Sequence, residues 1–142
     1  MERHRSETAL AWLTLVGTTT HFALESWYHL VWGQPLQALI VDYICVALMV
    51  LGCVTSLRVR PRSAAGLLAA GWAFALGFGW RSVFGRLELR AANQVAANGE
   101  ASFVVWVILG ALIIVAFVLI WALWLAARQA GPVGRNSRRY PD

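Results

Sequence analysis

Four long apolar runs limit what this chain can fold into. They cover approximately residues 10–32, 36–57, 63–84 and 101–127. Each is close to the roughly 20 residues that an α-helix needs to cross the hydrocarbon core of a bilayer. Only 13% of the 142 residues are charged, whereas soluble domains carry roughly 25%. The sequence therefore predicts an all-α integral membrane protein, built as a bundle of four transmembrane helices.

The runs leave few residues outside the bilayer, so we expect a single four-helix transmembrane domain over residues 1–130. Residues 131–142 carry several arginines and no apolar run, which predicts a short basic tail without fixed structure. The longest connection, residues 85–100, separates the third run from the fourth and is a candidate lid over the bundle.

The arginines predict the orientation of the bundle. All 12 residues of the Lys+Arg count are arginine, and nine of them lie before the first run, between the second and third, or after the fourth. With four spans these segments share one side of the membrane, and the positive-inside rule makes that side, with both termini, cytoplasmic. Basic residues confined to membrane boundaries argue against a nucleic-acid partner. The arginine-only composition favours a bacterial source, so we expect the bacterial inner membrane.

Polar residues recur along one face of the first run, at successive spacings of four, three, four and four residues. At 3.6 residues per turn these positions share one side of a helix, which turns away from lipid in a bundle. Ionisable groups in hydrocarbon are costly and usually functional. The residues on this face are Thr14, Thr18, His21, Glu25 and His29.

Two further runs bring ionisable residues to a similar depth. At 1.5 Å per residue, Glu25 lies about 10 Å and Asp42 about 9 Å from the outer ends of their helices, with Arg81 at about 5 Å. Arg81 also continues a strip of small residues, at every fourth position from 65 to 77, that predicts close helix packing. We therefore expect Glu25 at the centre of a site with Arg81 as its electrostatic partner. Aromatic residues are expected nearby, namely Trp27, Tyr28, Tyr43 and Trp80.

Three interpretations of this cluster remain open. The first is structural, with Arg81 paired to Glu25 or Asp42 and the histidines holding the helices in register. The second is a metal site, but no HExxH pattern is present. His21 and His29 are two helical turns apart, too far to share one ion unless Asp42 bridges them. The sequence therefore predicts no metal ligands.

The third interpretation is acid–base chemistry on a lipid-soluble molecule. Desolvation disfavours a charged carboxylate, so a neutral Glu25 could donate a proton while a neighbouring histidine or carboxylate accepts one. Aromatic faces could stabilise a cationic intermediate. The sequence has no nucleotide or flavin motif, so no cofactor is expected.

The run HFALESWY, residues 21–28, resembles the H-x-x-x-E-x-W-aromatic pattern in the first helix of the EXPERA domain. That domain is the four-helix module of the emopamil-binding sterol isomerases and the sigma-2 receptor family. The resemblance implies that His21 and Glu25 shift a proton on a sterol double bond. It also implies that Trp27 lines the pocket and that Asp42 stands near the acid of the second helix.

The sequence thus predicts a small membrane protein that binds an apolar sterol- or isoprenoid-like molecule in a His/Glu/Asp/Arg pocket near the outer leaflet. Double-bond isomerisation or cyclisation is the expected reaction. The expected catalytic residues are Glu25, His21 and Asp42, and the expected substrate contacts are Trp27, Tyr28, His29, Tyr43, Trp80 and Arg81.

The alternative function is a non-catalytic membrane subunit, anchor or small transporter component. The fourth run contains no acid, base or amide over residues 103–127. It therefore offers an apolar face for lipid, a second copy of the chain, or a partner membrane protein.

Overall fold

The structure is a computed structural model that describes residues 2–33, 35–58, 64–92 and 102–129. Within these ranges the chain forms four α-helices, which confirms the all-α prediction. They are α1 (Glu2–Trp32), α2 (Leu36–Arg58), α3 (Ala65–Ala91) and α4 (Ser102–Gln129). The predicted tail at 131–142 and the later part of the predicted 85–100 loop lie outside the described residues.

Three of the helices contain segments long and apolar enough to cross a membrane. These segments are Leu36–Arg58, Ala65–Leu89 and Val105–Arg128, as expected of an integral membrane protein. Helix α1 has 31 residues, but the charged residues of its first turns and its polar face lower its hydropathy. A membrane span by α1 therefore stays a prediction.

Helix α3 is longer than its apolar run. The run was predicted to end near residue 84, but the helix continues to Ala91. Arg86 lies in this extension and its guanidinium donates hydrogen bonds to the hydroxyl and the backbone carbonyl of Ser82, one turn earlier. Backbone hydrogen bonding continues past the end of the apolar run, since the N–H of Ala92 donates to the carbonyl of Glu88 over 3.0 Å. The first part of the predicted 85–100 loop is consequently helical.

A tight connection sets α1 and α2 side by side. Helix α1 ends at Trp32, and the next residue, Gly33, has a φ of 68° and donates its N–H to the carbonyl of His29 over 3.1 Å. A left-handed glycine after the last turn is a common helix stop, because glycine has no Cβ to clash there. Pro35 follows, and its carbonyl accepts from the backbone N–H of Ala38 at the start of α2.

Successive helices pack along their lengths, α1 on α2, α2 on α3 and α3 on α4, whereas α1 meets α3 and α4 over a short stretch. The main core contains residues of all four helices, among them Leu10, Cys53, Leu68, Trp72 and Leu125. A smaller core, formed by Val83, Val105 and Leu112, joins α3 to α4 alone. Helix α1 is thus tied to the whole bundle mainly through its first half.

Polar contacts reinforce that half of the bundle. The carboxylate of Glu7 on α1 accepts hydrogen bonds from the hydroxyl of Ser56 on α2 and from the backbone N–H of Ala64, both at 3.1 Å. Ser6 accepts a 3.1 Å hydrogen bond from the indole N–H of Trp121 on α4. One turn of α1 therefore contacts the end of α2, the start of α3 and α4.

The predicted strip of small residues on α3 does not face one neighbour. Ala65 and Ala69 are buried, but Ala73, Gly77 and Arg81 are exposed. The reason is geometric: each residue of an α-helix turns by about 100°, so every fourth position drifts by about 40° around the axis. Four such steps carry Arg81 most of the way to the face opposite Ala65.

Candidate functional site

The polar face of α1 divides into two parts with different surroundings. In the first part, Thr14 is buried and its hydroxyl accepts from the indole N–H of Trp72 at 2.9 Å while donating to the carbonyl of Leu10 at 2.8 Å. Thr18 is also buried, and its hydroxyl lies 3.2 Å from the sulfur of Met49. These two threonines link α1 to α3 and to α2, and both are buried.

The second part contains a cluster of three ionisable side chains from two helices. The imidazole Nε2 of His21 lies 3.3 Å from Oδ1 of Asp42, and its Nδ1 lies 4.0 Å from Oε1 of Glu25. Asp42 is 1% exposed, whereas the side chains of His21 and Glu25 are 40% and 28% exposed. The imidazole therefore stands between a buried carboxylate and an accessible one.

The antiparallel hairpin explains how residues 21 apart in sequence come together. The buried positions of α2 recur every three or four residues and include Leu39, Asp42, Cys45 and Met49, the spacing of one helical face. That face carries Asp42 in contact with α1, where His21 lies one turn beyond the Thr18–Met49 contact. An acid on an otherwise apolar buried face is thus held against the polar face of α1.

Tyr43 lies beside this cluster. Its hydroxyl is 3.0 Å from the hydroxyl of Ser26, and its ring centroid is 5.2 Å from that of Phe22. Ser26 also donates to the carbonyl of Phe22 over 2.7 Å. Sequence reasoning did not select Ser26 or Phe22. Their positions on α1, next to His21 and Glu25, were the signal available.

The other predicted substrate contacts on α1 and α3 are more exposed than Asp42. Tyr28 and His29 are half-buried on the last turns of α1. Trp27 and Trp80 are more than half exposed, and the Trp80 ring packs on Phe84 of its own helix at 5.2 Å. Both tryptophans leave aromatic faces available at the protein surface, and a role of these four residues in substrate binding stays a prediction.

The predicted pairing of Arg81 with Glu25 is not among the ion pairs observed within the described ranges. Arg81 is exposed, and the ion-pair partner found for both Glu25 and Asp42 is His21. The physical reason is the drift of the four-residue strip on α3, which turns Arg81 outwards instead of towards α1.

The charges and distances allow two kinds of chemistry. In the first, the carboxylate of Asp42 orients the imidazole of His21, leaving Nδ1 on the side of Glu25 for proton transfer. In the second, one nitrogen of His21 and one oxygen each from Glu25 and Asp42 lie within 4.8 Å of one another, a spacing that can hold a metal ion. The prediction of no metal ligands was based on the spacing of His21 and His29 and did not weigh the set of His21, Glu25 and Asp42, so it stays a prediction.

No protein-family model, curated protein or solved structure matches this chain. The resemblance of residues 21–28 to the EXPERA domain therefore stays a prediction. The functional argument accordingly depends on the residues of the site.

Proposed function

We propose that this chain is an integral membrane protein in which all four helices cross the bilayer, with both termini in the cytoplasm. Three spans satisfy length and hydropathy directly, and α1 packs antiparallel along α2. At 1.5 Å per residue, the 31 residues of α1 extend about 46 Å, enough for a bilayer with its interfacial regions. The arginine distribution supports the orientation, and the composition favours a bacterial inner membrane.

We infer that His21, Glu25 and Asp42 form an acid–base site acting on a lipid-soluble, sterol- or isoprenoid-like molecule. The observation that carries this proposal is the imidazole held between a buried and an accessible carboxylate. A catalytic acid and base must be within reach of one substrate and must differ in their environments. Glu25 and His21 are both partly exposed, so one substrate can reach both side chains. Asp42 holds His21 in position from the buried side.

The reaction that fits is a double-bond shift without a cofactor. Neutral Glu25 donates a proton to one alkene carbon, which leaves a carbocation on its neighbour. Neutral His21 then removes a proton from the next carbon, and the electron pair of that C–H bond forms the new double bond. The substrate gains and loses one proton, so atoms and charge balance once a proton returns from the imidazolium of His21 to Glu25. The nearby rings of Phe22 and Tyr43 can stabilise the cation.

The test is proton exchange with solvent. The full chain, purified in mild detergent, is incubated in D2O with a panel of sterols and polyprenyl lipids, and the products are analysed by mass spectrometry. We expect an isomerised product that carries deuterium. Glu25→Gln and His21→Gln should abolish its formation, whereas Thr20→Val, an exposed change on the same helix, should not.

An apolar face on α4 supports a second candidate, a non-catalytic membrane subunit. Ile113, Ile114, Phe117 and Ile120 are all at least 60% exposed. A stoichiometric protein partner that co-purifies, together with no deuterated product from any lipid, would replace the enzyme proposal with this one.

A further inference from the structure

The cluster of His21, Glu25 and Asp42 brings three metal-ligating side chains from two helices to one place. Asp42 is 1% exposed, and carboxylates that are buried in proteins are paired or coordinate metal ions. One divalent cation could bind both carboxylates and the imidazole at once.

The ligand types suit a transition metal. One imidazole nitrogen and two carboxylate oxygens match the ligands of zinc, manganese and iron, whereas magnesium and calcium prefer oxygen alone. Protein sites for catalytic zinc commonly supply three ligands and leave another position open. The exposed sides of His21 and Glu25 would leave such a position towards the surface.

The distances are close to those of a bound site. Two ligands that are each about 2.1 Å from one ion, at tetrahedral to right angles, lie about 3.0–3.4 Å apart. The Nε2 atom of His21 and Oδ1 of Asp42 are 3.3 Å apart. All three ligand atoms lie within 4.8 Å of one another, so a rotation of the flexible and partly exposed Glu25 side chain would complete the set.

We propose that His21, Glu25 and Asp42 bind one divalent transition metal ion, with Zn2+ as the representative probe. The site joins α1 to α2 and lies at the accessible edge of the hairpin. The proposal shares its residues with the acid–base site, and the two states exclude each other, because a bound ion occupies the carboxylate of Glu25 and a lone pair of His21. Metal binding is therefore measured without any substrate.

The experiment is a direct binding measurement on the full chain in mild detergent. Protein stripped with a chelator is dialysed against Zn2+, and bound zinc and the thermal unfolding midpoint are measured. We expect about one zinc ion per chain and a higher unfolding midpoint with zinc, because a ligand that binds the folded state stabilises it. Asp42→Asn, Glu25→Gln and His21→Gln should each weaken zinc binding at least about tenfold.

The matched control is His29→Gln, which removes an imidazole two turns from His21 on the same helix and should leave zinc affinity unchanged. Equal zinc binding by Asp42→Asn and His29→Gln would overturn the proposal, as would an unaltered chain that binds no zinc. If the metal proposal is overturned but metal-free protein isomerises a lipid, the acid–base proposal is retained.

A second measurement uses the unaltered chain, in case Asp42→Asn does not fold. Diethyl pyrocarbonate modifies accessible imidazoles, and His21 is 40% exposed. We expect zinc to protect His21 but not His29, as read by peptide mass spectrometry. Equal modification of His21 with and without zinc would contradict the proposed ligand set.

Discussion

The buried hydrogen bond between Trp72 and Thr14 shows how single polar groups hold these apolar helices together. The indole N–H of Trp72 on α3 has an acceptor, the Thr14 hydroxyl, 2.9 Å away on α1. The same hydroxyl donates its hydrogen to the backbone carbonyl of Leu10, so it acts as both acceptor and donor. Because α1 meets α3 over a short stretch, this bond is a substantial part of their contact.

Thr14→Val should therefore be destabilising. Valine has nearly the same shape but no acceptor, which leaves the indole N–H without a partner. We expect a loss of about 1 kcal/mol in the free energy of unfolding, measured by denaturant titration in detergent. Thr19→Val is the control, because Thr19 makes the same type of bond to its own helix at 2.9 Å but is exposed, and should change stability by less than about 0.5 kcal/mol. Equal losses would show that the Trp72 contact contributes nothing.

The chemistry of the site residues and their depth along the helices could be predicted from the sequence. The direction of a side chain around its helix could be predicted only in part. His21, Glu25 and Asp42 were predicted at one level because the helical rise is uniform, and the structure brings these three together. The face of α1 was also predictable, since a mixed spacing of three and four stays on one side of a helix. The predicted direction of Arg81 differs from the structure, because positions at a strict spacing of four drift around the helix axis. The hydroxyl pair of Ser26 and Tyr43 depends on the contact between α1 and α2, which no local pattern reveals.

At the scale of helices, two glycines outside the predicted small-residue strip allow α3 to pack closely against its neighbours. A Cβ built on Gly71 of α3 would lie 2.9 Å from Cγ of Met49 on α2, and one on Gly79 would lie 2.6 Å from Cδ2 of Leu112 on α4. Nothing lies within 4 Å of the corresponding position at Gly77. The close contacts of α3 are therefore made by glycines that face α2 and α4.

Gly71→Leu should force α3 away from α2, whereas Gly77→Leu should be tolerated. Overpacking of a tight interface typically costs about 1–3 kcal/mol, and the Met49 backbone is also only 3.6 Å from the added carbon. The measurement is the thermal unfolding midpoint of both variants in the same detergent. Since both replace a helical glycine by leucine, their helix propensities change alike. A lower midpoint for Gly77→Leu than for Gly71→Leu would contradict this arrangement of α3.

For the whole molecule, the proposed topology depends on the number of spans and on charge. The structure supplies four helices in its described ranges and three apolar spans, while the arginine distribution supplies the direction. The even number of spans depends on α1, whose polar face is compatible with a membrane because its threonines are buried against Trp72 and Met49. If α1 lay outside the bilayer, the N-terminus and the first residue of α2 would be on the same side of the membrane. The direction in which α2 crosses the bilayer can be measured in either case.

That measurement is cysteine labelling at the two ends of α2. Gln37 and Arg58 are both exposed, at opposite ends of this helix, and the native Cys45 and Cys53 are buried, which keeps background labelling low. We expect Gln37→Cys to react with a membrane-impermeant maleimide on intact cells, because the proposed topology places the arginine-free end of α2 outside. Arg58→Cys should react only after the membrane is permeabilised, since the proposed topology, based on the positive-inside rule, places this end in the cytoplasm. The reverse pattern would invert the bundle and place the His21–Glu25–Asp42 cluster, which lies nearer the Gln37 end, in the cytoplasmic half of the bilayer.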